Sequence, residues 1–205
     1  MPPDDRPIPR FVAETPQEAL PYGRWADALA DRFLDECRKL DTGAEELGEP
    51  GQAVWFPDRT YAGRTYIPAT APTSTGFELF GYVSFTREHE GAEARDFLAV
   101  ADFTDETADA NPDWRLDLSD QEIATWRGPQ ARRAEIALVW GVALEHKGIV
   151  VTAELGPTVT DQCALIENRF TLVSLDSYTG DYLEVKLWGS DGSEVASESL
   201  YAEDE

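Results

Sequence analysis

Lysine is nearly missing. The 205 residues hold three, Lys39, Lys147 and Lys186, against 14 arginines and 40 aspartates and glutamates, so the formal net charge is −23. A chain so short of cations lacks the basic stripe of a nucleic-acid binder, and an anionic membrane surface repels it. The only clustered cations are Arg132-Arg133, with Glu135 close behind. The expected partners are therefore a second copy of the chain or another protein, with no direct contact to nucleic acid and none to membrane.

Cysteine and histidine are almost as scarce. Cys37 and Cys163 make no disulfide framework and no zinc site, and are expected as free thiols. His89 and His146 belong to no His-x-x-x-His or His-Glu-x-x-His pattern, which leaves a zinc hydrolase without ligands. No Gly-x-Ser-x-Gly elbow occurs, and neither glycine-rich phosphate cradle is present. No apolar run approaches the length of a spanning helix. Met1-Pro2-Pro3-Asp4-Asp5 has neither the basic start nor the apolar stretch of a secretion signal. The expected setting is the cytoplasm or the interior of a macromolecular assembly. These gaps lean against an enzyme, although 40 acids supply carboxylate pairs without number.

What is present argues for a folded core. Apolar residues make up 42% of the chain, with 6 Trp, 7 Tyr and 9 Phe, a composition unlike that of a disordered polyanion. A folded chain of this mass exposes roughly 9,600 Å², so the excess charges lie about 20 Å apart. The Debye length is about 8 Å at physiological salt, so ordinary salt screens the average repulsion. The acidity then speaks to an environment more than to an activity.

The pattern along the chain predicts an extended arm over 1–15, broken by Pro2, Pro3, Pro7 and Pro9. A single β-rich domain over 16–205 follows and opens with a helix over 16–42. Thr15-Pro16-Gln17-Glu18 matches a capping box with proline in the first turn. Trp25, Leu29, Phe33 and Cys37 recur every fourth residue and give the helix one apolar side, with Gly43 as its terminator. Phe11 on the arm and Trp25, Leu29 and Phe33 on the stripe are the candidate contacts with neighbouring molecules.

From Gln52 the period changes to two. Strands are expected at 53–56, 60–67, 76–86, 95–103, 134–144, 148–155, 168–175, 181–188 and 194–201. The short link Glu145-His146-Lys147 predicts a hairpin of 134–144 with 148–155. Thr179-Gly180-Asp181 and Ser190-Asp191-Gly192-Ser193 predict a three-stranded meander over 168–201. Residues 104–133 read as an interruption, with a short helix capped by Ser119 and Glu122. The fold class is mainly β (α+β): an antiparallel β-sandwich or partly closed barrel with the N-terminal amphipathic helix packed on it.

Two constellations carry candidate chemistry. Trp55, Arg59, Tyr61, Arg64 and Tyr66 crowd aromatics and two cations around a Pro-Asp turn, as the mouth of a binding barrel does. Asp109, Asn111, Asp113, Asp117 and Asp120 fall at the alternating spacing of a Ca²⁺ loop. Trp114 stands where such a loop needs glycine, and position twelve is the short Asp120. No other cofactor is expected. The function expected from all this is a non-catalytic structural, assembly or protein-interaction module that forms homo-oligomers. The alternatives are a small-molecule-binding β-barrel, with or without enzymatic activity, and an acidic decoy for a basic or nucleic-acid-binding protein.

Overall fold

The computed structural model describes residues 20–89, 91–128 and 132–200. Among the described residues the chain is mainly β, with antiparallel sheets and one helix. The helix, α1, spans Gly23–Cys37, which is shorter than 16–42. The capping box and Phe11 lie outside the described residues. Tyr22 caps α1 in an extended conformation without a side-chain bond. At the other end, the Arg38 N–H still reaches Leu34 O. Gly43 lies beyond in a loop, where its N–H meets the Asp41 carboxylate at 3.1 Å, and so does not terminate the helix.

The first sheet contains β1 (Val54–Trp55), β2 (Arg59–Tyr61), β3 (Arg64–Pro72), β4 (Glu78–Thr86) and β5 (Arg95–Thr104). Its order is β1-β3-β4-β5, and β2 also pairs with β3. Strand alternation sorts its residues into two cores. Leu79, Val83 and Phe85 join Ile67, Ala69 and Ala71 in a buried cluster with Leu29, Phe33 and Cys37 of α1. Tyr66 and Tyr82, on the opposite parity, belong to the other cluster.

The second sheet contains β6 (Leu116–Arg127), β7 (Arg133–Ala143) and β10 (Arg169–Leu175), in the order β10-β7-β6. The third contains β8 (Gly148–Leu155), β9 (Thr158–Ala164), β11 (Ser177–Tyr178), β12 (Asp181–Gly189) and β13 (Glu194–Ser199). Its order is β11-β12-β8-β9, with β13 also on β12. Leu183, Val185 and Leu187 of β12 are fully buried with Val151, Ala153 and Leu155 of β8. The Phe80 and Trp140 rings, 6.4 Å apart, connect the first two sheets.

Four expectations are corrected. Strand 133–143 does not form a hairpin with 148–155. Both sides of β7 are taken by β6 and β10, and both sides of β8 by β9 and β12, so the chain changes sheets at residues 145–147. In the meander, β12 pairs with β13 as expected, but β10 pairs with β7 instead. The short helix expected from the Ser119 cap is instead part of a twelve-residue strand, Leu116–Arg127. A helix of one or two turns has few internal hydrogen bonds to offset its nucleation cost, whereas β7 offers a partner along the whole of β6. Residues 158–164, not anticipated as a strand, form β9.

Candidate functional site

The five aromatic and cationic residues around Pro57-Asp58 are divided between two locations. Arg59 is only 3% exposed. Its Nη2 donates to both oxygens of Asp161, at 2.9 and 2.8 Å, and to Gln162 O at 3.1 Å; its Nε donates to Thr171 O at 2.8 Å. Asp161 also accepts the N–H groups of Gln162 and Val173. Burial raises the Asp161 carboxyl above its ordinary range, while Arg59 and these N–H groups hold it back. One guanidinium on β2 thus fastens the first sheet to β9 and β10. It is not a cation at a barrel mouth, because its donors are spent inside the protein. Trp55 is likewise buried, in the cluster beneath α1, and its carbonyl accepts Arg169 Nη1 at 3.0 Å.

Tyr61, Arg64 and Tyr66 do come together, with Tyr82 added. Tyr61 and Arg64 face each other across the β2–β3 turn, and the Tyr66 and Tyr82 rings meet edge to face at 5.4 Å. Arg64 Nη1 donates to Ser84 Oγ at 3.1 Å and Asp96 O at 2.9 Å, fixing the start of β5. Burial pushes the Tyr82 phenol up to about 12, and burial also raises Tyr66. Both phenols therefore stay neutral at ordinary pH and act as donors, not bases.

The Ca²⁺ spacing does not survive folding. Asp109, Asn111 and Asp113 lie in the loop before β6, but Asp117 and Asp120 lie on β6 itself. Residues three apart on a strand point to opposite faces, so the last two carboxylates cannot converge on one ion. The Asn111 amide is turned to Thr107 O at 2.9 Å. Among the described residues no group of three or more His, Cys, Asp or Glu is arranged to hold a metal. The fold instead brings Asp117 and Asp109 towards Glu78 at the start of β4. Burial first, then Asp117, push the Glu78 carboxyl up to about 7, against a hydrogen bond from Thr70; Asp109 adds to the rise. Sequence spacing gives no signal for Glu78, which lies some thirty residues or more before the others.

The helix stripe is also spent within the chain. Leu29 and Phe33 are fully buried, and Trp25 packs edge-on to Phe85 at 5.4 Å. Leu29 and Phe33 are covered by the protein's own sheet and cannot meet a neighbour, while Trp25 is half-buried beside them. Cys37 and Cys163 are free thiols, raised by burial to about 12 and about 11, so neither is a thiolate nucleophile near neutral pH. His89 and His146 are exposed, on the links after β4 and β7.

An open surface does appear at β5. It is the last strand of the first sheet and ten residues long, and no described strand pairs with its outer side. Its centre is apolar, Phe97 to Ala101, and Leu98 is 52% exposed. At one end the Asp102 carboxylate takes the Phe103 N–H at 2.8 Å. At the other, Arg95 pairs with Glu88 on the surface. Which strand is an edge depends on the whole sheet order, so the sequence gives no sign of it.

No family model, curated protein or solved structure matches the chain. Among the described residues no helix is long and apolar enough to cross a membrane.

Proposed function

We propose that the protein is a non-catalytic assembly module that pairs with a second copy of itself along β5. In this reading the sheets form an antiparallel sandwich or partly closed barrel, with α1 packed across its first sheet. The observation that carries the proposal is the long apolar edge of β5. An unpaired edge presents a row of N–H and C=O groups ready to pair with another chain, and a second copy supplies the matching strand. In two-fold antiparallel pairing about Val100, Leu98 falls opposite Asp102 of the other copy, and Arg95 lies towards its Asp105. That register places charges of opposite sign at both ends of the ladder. The net charge of −23 per copy opposes association, but over about 8 Å that repulsion is screened at physiological salt.

Light scattering with concentration decides the matter. A dimer is expected in moderate salt, weaker at low salt. Leu98→Glu places a carboxylate opposite Asp102 and is expected to give monomers, whereas Leu98→Lys keeps the dimer. A strict monomer at high concentration, or equal effects of the two substitutions, would sink the proposal. The acidic-decoy reading has no comparable feature in its favour.

A further inference from the structure

The face of the first sheet turned away from α1 carries a cluster of hydrogen-bond donors. Ile67, Val83 and Phe85 lie beneath α1, so strand alternation turns Arg64, Tyr66, Tyr82 and Ser84 to the other side. The register brings these four together. Tyr66 lies directly opposite Ser84, and Tyr82 opposite Pro68, the next residue of that face on β3. The Arg64 guanidinium crosses to Ser84 Oγ at 3.1 Å, and the two tyrosine rings meet edge to face at 5.4 Å.

Tyr66 and Tyr82 are only 6% and 4% exposed. A buried phenol normally gives its O–H to a partner. Among the described residues neither hydroxyl makes a hydrogen bond, and neither is one of the unpartnered atoms sealed from solvent. The hydroxyls are therefore the reachable tips of two buried rings. Both hydrogen bonds of Arg64 leave from Nη1, to Ser84 Oγ and to Asp96 O at 2.9 Å. Its Nε–Nη2 edge, the fork that fits a carboxylate, stays open. Asp96 turns its carbonyl to Arg64 but its carboxylate to Thr86 Oγ1, at 2.8 Å, so it does not occupy that fork. The Arg64 charge acts on both phenols and opposes the rise that burial imposes on them, which puts guanidinium and hydroxyls in one neighbourhood.

We infer that Arg64, Tyr66 and Tyr82 form a binding site for a small carboxylate. The Arg64 fork takes the two carboxylate oxygens, and the phenol O–H groups donate to lone pairs that the fork leaves over; an ionised carboxylate offers about four. The ring contact already holds the two phenols, so little side-chain freedom is lost on binding. The net charge of −23 opposes the approach of an anion, but physiological salt screens that repulsion beyond about 8 Å. The site lies within one copy and does not rest on pairing along β5.

The test is a titration of the full chain in about 0.15 M salt, followed by NMR with the tyrosines isotope-labelled at Cζ. The probes are acetate, benzoate, acetamide and inorganic phosphate. Acetate or benzoate is expected to shift two tyrosine signals along a saturating curve, the two that disappear in Tyr66→Phe and Tyr82→Phe. Acetamide, of the same shape without the charge, is expected to bind at least tenfold more weakly than acetate. Tyr66→Phe and Tyr82→Phe each remove one oxygen and keep the ring, and each is expected to weaken the carboxylate at least threefold. Arg64→Lys keeps the charge but loses the fork, and is expected to weaken it at least tenfold, with folding checked by circular dichroism. If that variant does not fold, the two phenylalanine variants still decide. Tyr22→Phe, at a tyrosine 80% exposed beside α1, is expected to change nothing. The inference is overturned by the absence of any saturable shift at these two tyrosines, by equal binding of acetamide, by tighter binding of inorganic phosphate, or by full affinity when both phenols are replaced.

Discussion

At one junction between the sheets, Arg59 of β2 reaches Asp161 of β9, and nearly every donor and acceptor has a partner within 3.1 Å. At another, Glu78 of β4 lies near Asp117 of β6 and Asp109 of the preceding loop, and after burial the largest influence on it is a second carboxylate. Both junctions bury charge, but only the first compensates it. A chain with 17 cations and 40 acids cannot neutralise every buried carboxylate. Where it has a guanidinium to spend, the cation and the N–H groups hold back the rise that burial imposes on the carboxyl, and the pair ties the sheets together. Where it has none, the carboxyl takes up a proton instead.

The largest effect expected from breaking this contrast is at Arg59. Removing one partner of a buried pair leaves the other charge uncompensated and costs about 3–5 kcal/mol. Arg59→Met is therefore expected to lower unfolding stability by about that amount in chemical denaturation. Arg59→Met with Asp161→Asn is expected to lose clearly less than the sum of the single losses, because the double variant removes both charges together; the single amide oxygen keeps only one of the two N–H groups, which Asp161 accepts on separate oxygens. Additive losses would mean that the pair contributes nothing of its own.

Glu78 ranks second, with the opposite sign. Its folded pKa of about 7 lies above the ordinary 4.5, so the folded state holds a proton that the unfolded state releases. The stability that comes from this proton is fully present below about pH 4.5 and is lost as the pH rises through about 7. Glu78→Gln is expected to stabilise the protein by on the order of 1–3 kcal/mol at high pH, and hardly at all in mild acid. Denaturation midpoints measured across this range give the answer; a pH-independent effect would remove the titration from the explanation.

The smallest effect is expected at Lys186, on the outer side of the third sheet. It meets Glu154 at 3.3 Å, Glu184 at 3.2 Å and Glu194 at 3.9 Å. Here one cation serves three acids near water. Lys186→Met is expected to cost no more than about 1 kcal/mol, and the cost should shrink in high salt. A large, salt-independent loss would place this network with the Arg59 pair instead.

Much of the local structure was legible in the sequence. The fourfold stripe from Trp25 to Cys37 identified α1, because helical period is a property of the segment alone. The period of two placed strands at β4 and β12. The turn at Ser190–Ser193 was also legible, since Gly192 takes a φ of +78° that its missing Cβ allows. Pairing was not legible. β7 and β8 are separated by a hairpin-length link, yet each found better neighbours elsewhere. β6 carried a helix-cap pattern but lay down along β7. β9 is too polar to announce itself as a strand, and Asp161 within it is buried only because Arg59 arrives from a hundred residues away. The same applies to the candidate sites. Tyr61, Arg64 and Tyr66 were grouped correctly because they share a hairpin. Arg59, the acidic loop and the helix stripe were assigned roles that their tertiary partners took away.

By itself, then, the sequence determined the acidity, the β-rich pattern, the amphipathic helix and the turns, each set by residues in contact along the chain. The tertiary structure alone decided which strands are edges and which carboxylate received the buried guanidinium. Those outcomes depend on competition among distant segments for the same partner, and that free energy exists only once the whole chain has folded.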